Sequence, residues 1–205
     1  MKSGYSPLGC VARPKKVAVK ISGGRAISRK GLYVLKVNAI PAQFGWYLAG
    51  FADGEGSFNV SFRPRDDYAV PWKVSLCFNI SQRDPTVLAL FKRHLGCGTM
   101  RQRSDGVWYF EVNNLEAIAE NVNPFFHRFG FLSAKKKRDF AKFVKLTHML
   151  QQGVHRSVEG IREILEIRRA MNDGGKHRYT DEEILSKIGN PQRLYARPSR
   201  NTGNG

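Results

Sequence analysis

The sequence predicts an α+β fold, an αββαββα core in which a four-stranded antiparallel sheet carries helices on one face. Three observations predict it. Apolar residues recur at helical spacing from about residue 42, then alternate strictly over 57–63 and 72–82. The same order of one helix and two strands returns over 84–113, and a run of helices follows. Every predicted strand is apolar on one face and polar on the other, as expected when only one face of a sheet is covered.

Residues 1–40 contain nine Lys or Arg and no acid, which leaves +8 of the formal +17 for the remainder of the 205 residues. They show no sustained period and read as a basic arm. A disordered leader is the simplest account; an organellar transit peptide and a phosphate-gripping extension fit the composition as well. Residues 41–190 form the single predicted domain and 191–205 a polar tail. A hydrophobic content of 41% suffices for one core.

Pro41 opens a helix at about residue 42. Within it Phe44, Leu48, Phe51 and Ala52 share one side, whereas Gly50 and Gly54 fall on another. Glycine inside a helix costs about 1 kcal/mol relative to alanine, so this bare face implies close approach by another helix. Asp53 and Glu55 arrive where the helix should end, at Gly54 or Gly56. A helix C-terminus is electronegative, so the two acids need a cation or a donor to answer them. A second copy packed on the glycine face would bring four acids to a two-fold axis, an oxygen-rich setting for Mg²⁺.

Beyond Gly56, Phe58, Val60 and Phe62 point one way and Ser57, Asn59, Ser61 and Arg63 the other. A loop from Pro64 to Pro71 leads to Trp72–Gln82, with Val74, Leu76, Phe78 and Ile80 inward and Lys73, Ser75, Cys77, Asn79 and Ser81 outward. The two runs pair as a hairpin. Asp84 and Pro85 start a helix reaching about Leu95. Gly96 and Gly98 precede a third strand, 99–103, and the turn Ser104–Gly106 leads to a fourth, 107–113. Trp108, Phe110 and Val112 would face inward, with Thr99, Arg101, Arg103, Tyr109 and Glu111 outward. Helices are expected at 115–122, 124–130, 134–151, 157–172 and 181–188. For any single strand a polar face is ordinarily just solvated. Four such strands in a protein of charge +17 favour duplex DNA, because an antiparallel ribbon can enter the major groove and read base edges.

Leu48–Gly56, reading LAGFADGEG, resembles the LAGLIDADG motif of the homing endonucleases, with Phe51 and Ala52 at its fourth and fifth positions and Glu55 at its last acidic one. Together with the strand pattern, the resemblance covers about residues 42–150. It implies that paired motif helices form an interface, here through Trp46, Tyr47, Gly50, Asp53 and Gly54. It implies that Glu55, with Gly54, holds the divalent ion, Mg²⁺ or Mn²⁺, that serves DNA cleavage. Asp53 is as readily explained by hydrogen bonds to backbone at the packed helix end. Gln82 matches a polar residue near the water network at the scissile phosphate. Lys135, in SAKKK, matches the basic residue near the active site; Lys136 is the alternative, and a solvated charge run accounts for the cluster equally simply. Thr86 departs from the arginine of some relatives, with Arg83 a candidate substitute.

A single motif implies a homodimer acting on a long, near-palindromic DNA site. The expected function is a metal-dependent, staggered double-strand break by an intron-encoded enzyme. The rival is a maturase on the same fold with intron RNA as its partner. A regulator that only binds DNA would be expected to have lost the acids at 53 and 55. Cys10, Cys77 and Cys97 show no zinc or disulfide spacing, and the five histidines show no HxH or HExxH pattern. With no membrane-length apolar run and no signal-peptide core, the expected location is an intracellular compartment that contains DNA, either bacterial cytoplasm or organelle matrix.

Overall fold

Helix α1, Ala42–Glu55, is the first long element of the computed structural model, which describes residue 35 and residues 37–65, 70–172 and 177–188. Most of the predicted arm, and all of the tail at 191–205, lie outside the described residues. The arm's expected end differs. Val37–Ala39 form a 3-10 turn, Ile40 is buried and Arg128 donates to the Val37 carbonyl, so the packed chain begins before Pro41.

The buried face of α1 is Gly45, Leu48, Ala49 and Ala52, spaced as a helical stripe requires. Phe44, expected inward, instead stacks on His94 at the margin with ring centroids 5.0 Å apart. Gly45 explains the shift: a Cβ there would lie 2.2 Å from the Phe129 ring. The helix therefore approaches its neighbour through small residues, and bulky Phe44 is displaced to the edge.

Strands β1 (Ser57–Pro64) and β2 (Trp72–Gln82) pair antiparallel, with Ser57 opposite Asn79 and Arg63 opposite Lys73. After α2, Thr86–Leu95, strands β3 (Thr99–Gln102) and β4 (Trp108–Val112) complete the sheet in the order β1-β2-β4-β3. Asp84 accepts from the Thr86 backbone N–H at 2.8 Å, the capping contact that begins α2. Gly96 ends it at φ 66°, a left-handed turn that glycine adopts without strain.

Phe58, Phe78, Ile80, Phe91 and Phe110 are fully buried beneath the helices. Phe58 lies at the centre of an aromatic cluster, 4.8 Å from Phe143, 5.2 Å from Phe78 and 5.8 Å from Phe126 between ring centroids. Helix α3, Leu115–Ala117, passes through a π turn at Ile118–Val122 directly into α4, Asn123–Phe129. The break expected before Pro124 is absent, and the π turn just ahead of it is the local irregularity that accommodates a residue without an N–H. Ser133 caps the long α5, Ala134–Gln151, and Ser157 caps α6, Val158–Arg169, after a short 3-10 turn. Among the described residues no helix is long and apolar enough to cross a membrane.

The closing helix α7, Asp181–Ile188, braces the inner side of the β1–β2 hairpin. Trp72 Nε1 donates to the Ile184 carbonyl at 3.1 Å, and its ring meets Tyr179 edge-on at 5.1 Å. Asp181 pairs with both Arg168 and Arg169, and the Arg168 guanidinium also lies 5.1 Å from the Phe62 ring centroid. Asn172, at φ 50°, donates to the Phe58 carbonyl at 2.8 Å on the β1 edge, satisfying an acceptor that an edge strand would otherwise expose. Arg168 is only 3% exposed, so Asp181→Ala leaves a buried charge facing a truncated partner. The expected loss is about 3 to 5 kcal/mol of unfolding free energy, read from the urea midpoint at constant slope.

Candidate active site and nucleic-acid face

The end of α1 and the start of α5 meet where β1 begins. Asp53 accepts from the backbone N–H groups of Leu132 at 3.1 Å and Ser133 at 3.0 Å, and from the Ser133 hydroxyl. The electronegative end of one helix is thus answered by the electropositive start of another. Burial pushes the Asp53 carboxyl up, but the Ser133 and Leu132 donors and the Lys136 charge together bring it below its ordinary value of 3.8. In this single chain Asp53 serves the packing of two helices.

Glu55, the last residue of α1, is exposed. Lys136 reaches back from the first turn of α5 to donate to the Gly56 carbonyl. Burial lowers the Lys136 pKa from 10.5; the charges of Asp139, Asp53 and Glu55 oppose that shift, and Lys135 adds to it. Lys136 is thus brought to the motif's end, and Lys135, one residue earlier, is exposed. Gln82 ends β2 beyond Asn79, the residue opposite Ser57, and so lies at the same end of the sheet.

A hard divalent cation takes carboxylate, carbonyl and water oxygens. Glu55 provides an exposed carboxylate at a helix end, where carbonyl groups lack intrahelical partners, and this all-oxygen donor set fits Mg²⁺ or Mn²⁺. Among the described residues no group of three or more His, Cys, Asp or Glu is placed to hold a metal ion.

Gly50 and Gly54 are exposed, and a Cβ at either would meet nothing within 4 Å. Trp46, 59% exposed, and Tyr47, 52% exposed, flank them, and Leu132 projects nearby at 91% exposure. Among the described residues, nothing covers the bare face expected to touch another helix.

The outer sheet face carries the expected polar residues in register. Ser57, Asn79, Glu111 and Thr99 form one row across the four strands, and Ser81, Tyr109 and Arg101 the next. Asn59 lies opposite Cys77, and Ser61 opposite Ser75. Asn59 Nδ2 donates to Ser57 Oγ at 3.1 Å, so neighbouring side chains support one another. Burial, with the Glu111 charge second, pushes the Cys77 thiol up to about 11 and keeps it protonated. Arg101 pairs with Glu111 at 3.5 Å, and Arg103, just past β3, pairs with Asp105 at 3.1 Å and donates to the Tyr109 hydroxyl at 2.6 Å. The sequence showed these arginines as outward cations but not that they are held by their own sheet. Nor did it show Ser133, whose partner lies 80 residues away.

Because the Asp53 carboxyl is depressed, its contribution to stability is present above about pH 4 and lost as the pH falls through the lower folded value. Asp53→Asn should lower the urea midpoint at pH 7 and show a weaker further loss between about pH 4 and pH 2 than the wild type.

The family model described as LAGLIDADG endonuclease matches residues 48–147. The homing endonuclease I-ApeII of Aeropyrum pernix is 30% identical over 149 residues, which make up 69% of this chain and 88% of that protein. A probable intron-encoded endonuclease of Neurospora crassa is 26% identical over 132 residues, 62% of this chain and 29% of that protein. Among solved structures, the I-LtrWI LAGLIDADG homing endonuclease bound to target DNA matches with a TM-score of 0.62 and 27% identity, over 66% of this chain and 47% of that one. The chain thus spans less than a third of the Neurospora crassa protein and about half of I-LtrWI, but most of the Aeropyrum pernix enzyme. On the motif, the sheet order and these matches, the chain belongs to the LAGLIDADG endonuclease family.

Proposed function

We propose that the chain is a site-specific DNA endonuclease of the homing type, acting as a metal-dependent homodimer that makes a staggered double-strand break at a long, near-palindromic site. The observation that carries this reading is the placement of exposed Glu55 and half-buried Lys136 at the end of the sheet whose outer face presents rows of polar side chains. I-LtrWI, captured on its target DNA, supports duplex DNA as the partner. The bare Gly50 and Gly54 face supports a second copy, since two such faces can bring helix backbones together and unite the two Glu55 carboxylates at the axis.

Phosphodiester hydrolysis needs a water in line with the leaving 3′ oxygen and charge neutralisation at phosphorus. Glu55 and the Gly54 carbonyl of each copy would hold a divalent ion, which would supply both. Lys136, fixed at the Gly56 carbonyl, presents its ammonium to solvent and phosphate, where it stabilises developing negative charge or donates a hydrogen bond to an ordered water. Gln82 offers an amide that can donate to and accept from the same water. Asp53 holds α1 against α5 so that Glu55 and Lys136 keep their spacing.

Two results test this reading. Gly50→Leu meets open space in the single chain and replaces a poor helix former, so melting of the isolated domain should not fall. Light scattering should then show a dimer-to-monomer shift, and double-strand cutting should be lost; a variant that remains dimeric and active would remove the glycine face from the interface. Glu55→Gln should abolish cleavage while DNA affinity persists or improves, because two negative charges near phosphate are removed and the sheet face is untouched. Mg²⁺-dependent cutting by Glu55→Gln at the wild-type rate would refute the assigned metal site.

A further inference from the structure

Among the described residues only four large apolar side chains are exposed: Phe44, Trp46 and Tyr47 on α1, and Leu132, at 91% exposure, beside it. An isolated exposed apolar group needs no account, but a set gathered around the bare Gly50 and Gly54 surface marks a contact. Leu132 bounds one side of that surface, rimming a groove with Trp46, Asp53 and Phe129. Its backbone N–H is one of the donors that Asp53 accepts, so the residue is anchored at its base and exposed at its tip.

The symmetry of a pair decides what Leu132 meets. At about 100° per residue, Trp46 and Asp53 lie to one side of the Gly50–Gly54 line, and Tyr47 and Phe51 to the other. Leu132 flanks the first side; α2 flanks the second, where Phe91 approaches Phe51 with ring centroids 6.3 Å apart. With two glycine faces in contact, the two Glu55 carboxylates adjoin when the α1 helices run the same way, which puts the two-fold axis along them. Such an axis sets the Leu132 side of one copy against the Tyr47–Phe51 side of the other, and does so twice. Bare glycines contribute little of the about 800 Å² that each copy of a stable pair buries, whereas one aromatic side chain brings about 150 to 250 Å².

Resting on the proposed homodimeric endonuclease, we propose that Leu132 is a positioning residue: buried against Tyr47 and Phe51 of a second copy, it presses the Leu132–Ser133 turn onto Asp53 and sets Glu55 and Lys136 for cleavage only in the assembled pair. Glu55 lies two residues beyond Asp53, and Lys136 three beyond Ser133, so a turn held from outside by the second copy fixes both. A lone copy keeps the hydrogen bonds but leaves the outer side of the turn exposed. Assembly and catalytic competence thereby become one event.

The test compares full-length wild type, Leu132→Ala and Leu132→Met on a duplex that the wild type cuts. Alanine keeps the backbone N–H that Asp53 accepts, so it removes the side chain without opening the clasp. Leu132→Ala should raise the dimer dissociation constant about 100-fold or more, because a two-fold contact counts each change twice. Above that constant and at saturating DNA, where every copy is paired, kcat should still fall about 10-fold with KM for the duplex unchanged, the signature of displaced reacting groups. Leu132→Met refills the contact and should restore most of both losses. In the monomeric Gly50→Leu background, Leu132→Ala should leave the melting temperature unchanged; a fall there would mean that Leu132 is covered by its own chain and would overturn the proposal. An unchanged dissociation constant would also overturn it, as would a Leu132→Ala dimer that cuts at the wild-type kcat, since the contact would then serve assembly alone. A wild type that is monomeric at micromolar concentration, or that cuts no duplex, would instead overturn the homodimeric endonuclease reading.

Discussion

The arrangement of the site depends on the clasp between Asp53 and the first turn of α5. Three donors from Leu132 and Ser133 converge on one carboxylate, so the motif helix cannot slide or rotate without breaking a charge-assisted contact. The clasp fixes the distance between two stretches 80 residues apart in sequence. Glu55 lies two residues beyond Asp53 on one helix and Lys136 three beyond Ser133 on the other, so the same contact sets the spacing of both. The acid–amine pair at the mouth of the sheet is thus a by-product of how two helix ends satisfy each other.

The two acids at the end of α1 illustrate how one electrostatic problem receives two solutions. Either carboxylate alone at an electronegative helix end would be destabilising. Asp53 finds donors inside its own chain; Glu55 finds the nearby ammonium of Lys136 and otherwise faces water. Asp53 is thereby committed to the packing of two helices, whereas Glu55 stays exposed.

Most of the sheet was legible in the sequence because strand alternation encodes faces directly: Phe58, Val60 and Phe62 could only face one way once Ser57, Asn59 and Ser61 faced the other. The family resemblance rested on nine residues, and those residues also fixed where the helix ends. Less was legible where contacts are long in sequence. The burial of Gly45 and Ala49 in place of Phe44 depends on Phe129, which no helical wheel contains. Which of the three adjacent lysines reaches the Gly56 carbonyl turns on about 100° of helix rotation per residue, which a run of three lysines cannot encode. Likewise the pairing of Arg101 with Glu111 follows from strand order, since β4 lies between β2 and β3, and hydrophobic patterning is blind to that order.

Trp72 and Lys73 are adjacent on one strand, and the pleat sends one to the core and the other to solvent. Behind Trp72 stands α7, tied down by Asp181 to two arginines of α6. The closing helix therefore works as a shim beneath the ribbon: thickening or thinning its contact with Trp72 tilts the strand and swings the outward side chains along the groove. Sequence drift in α7 can therefore shift the outward side chains of β2 while those side chains themselves stay the same.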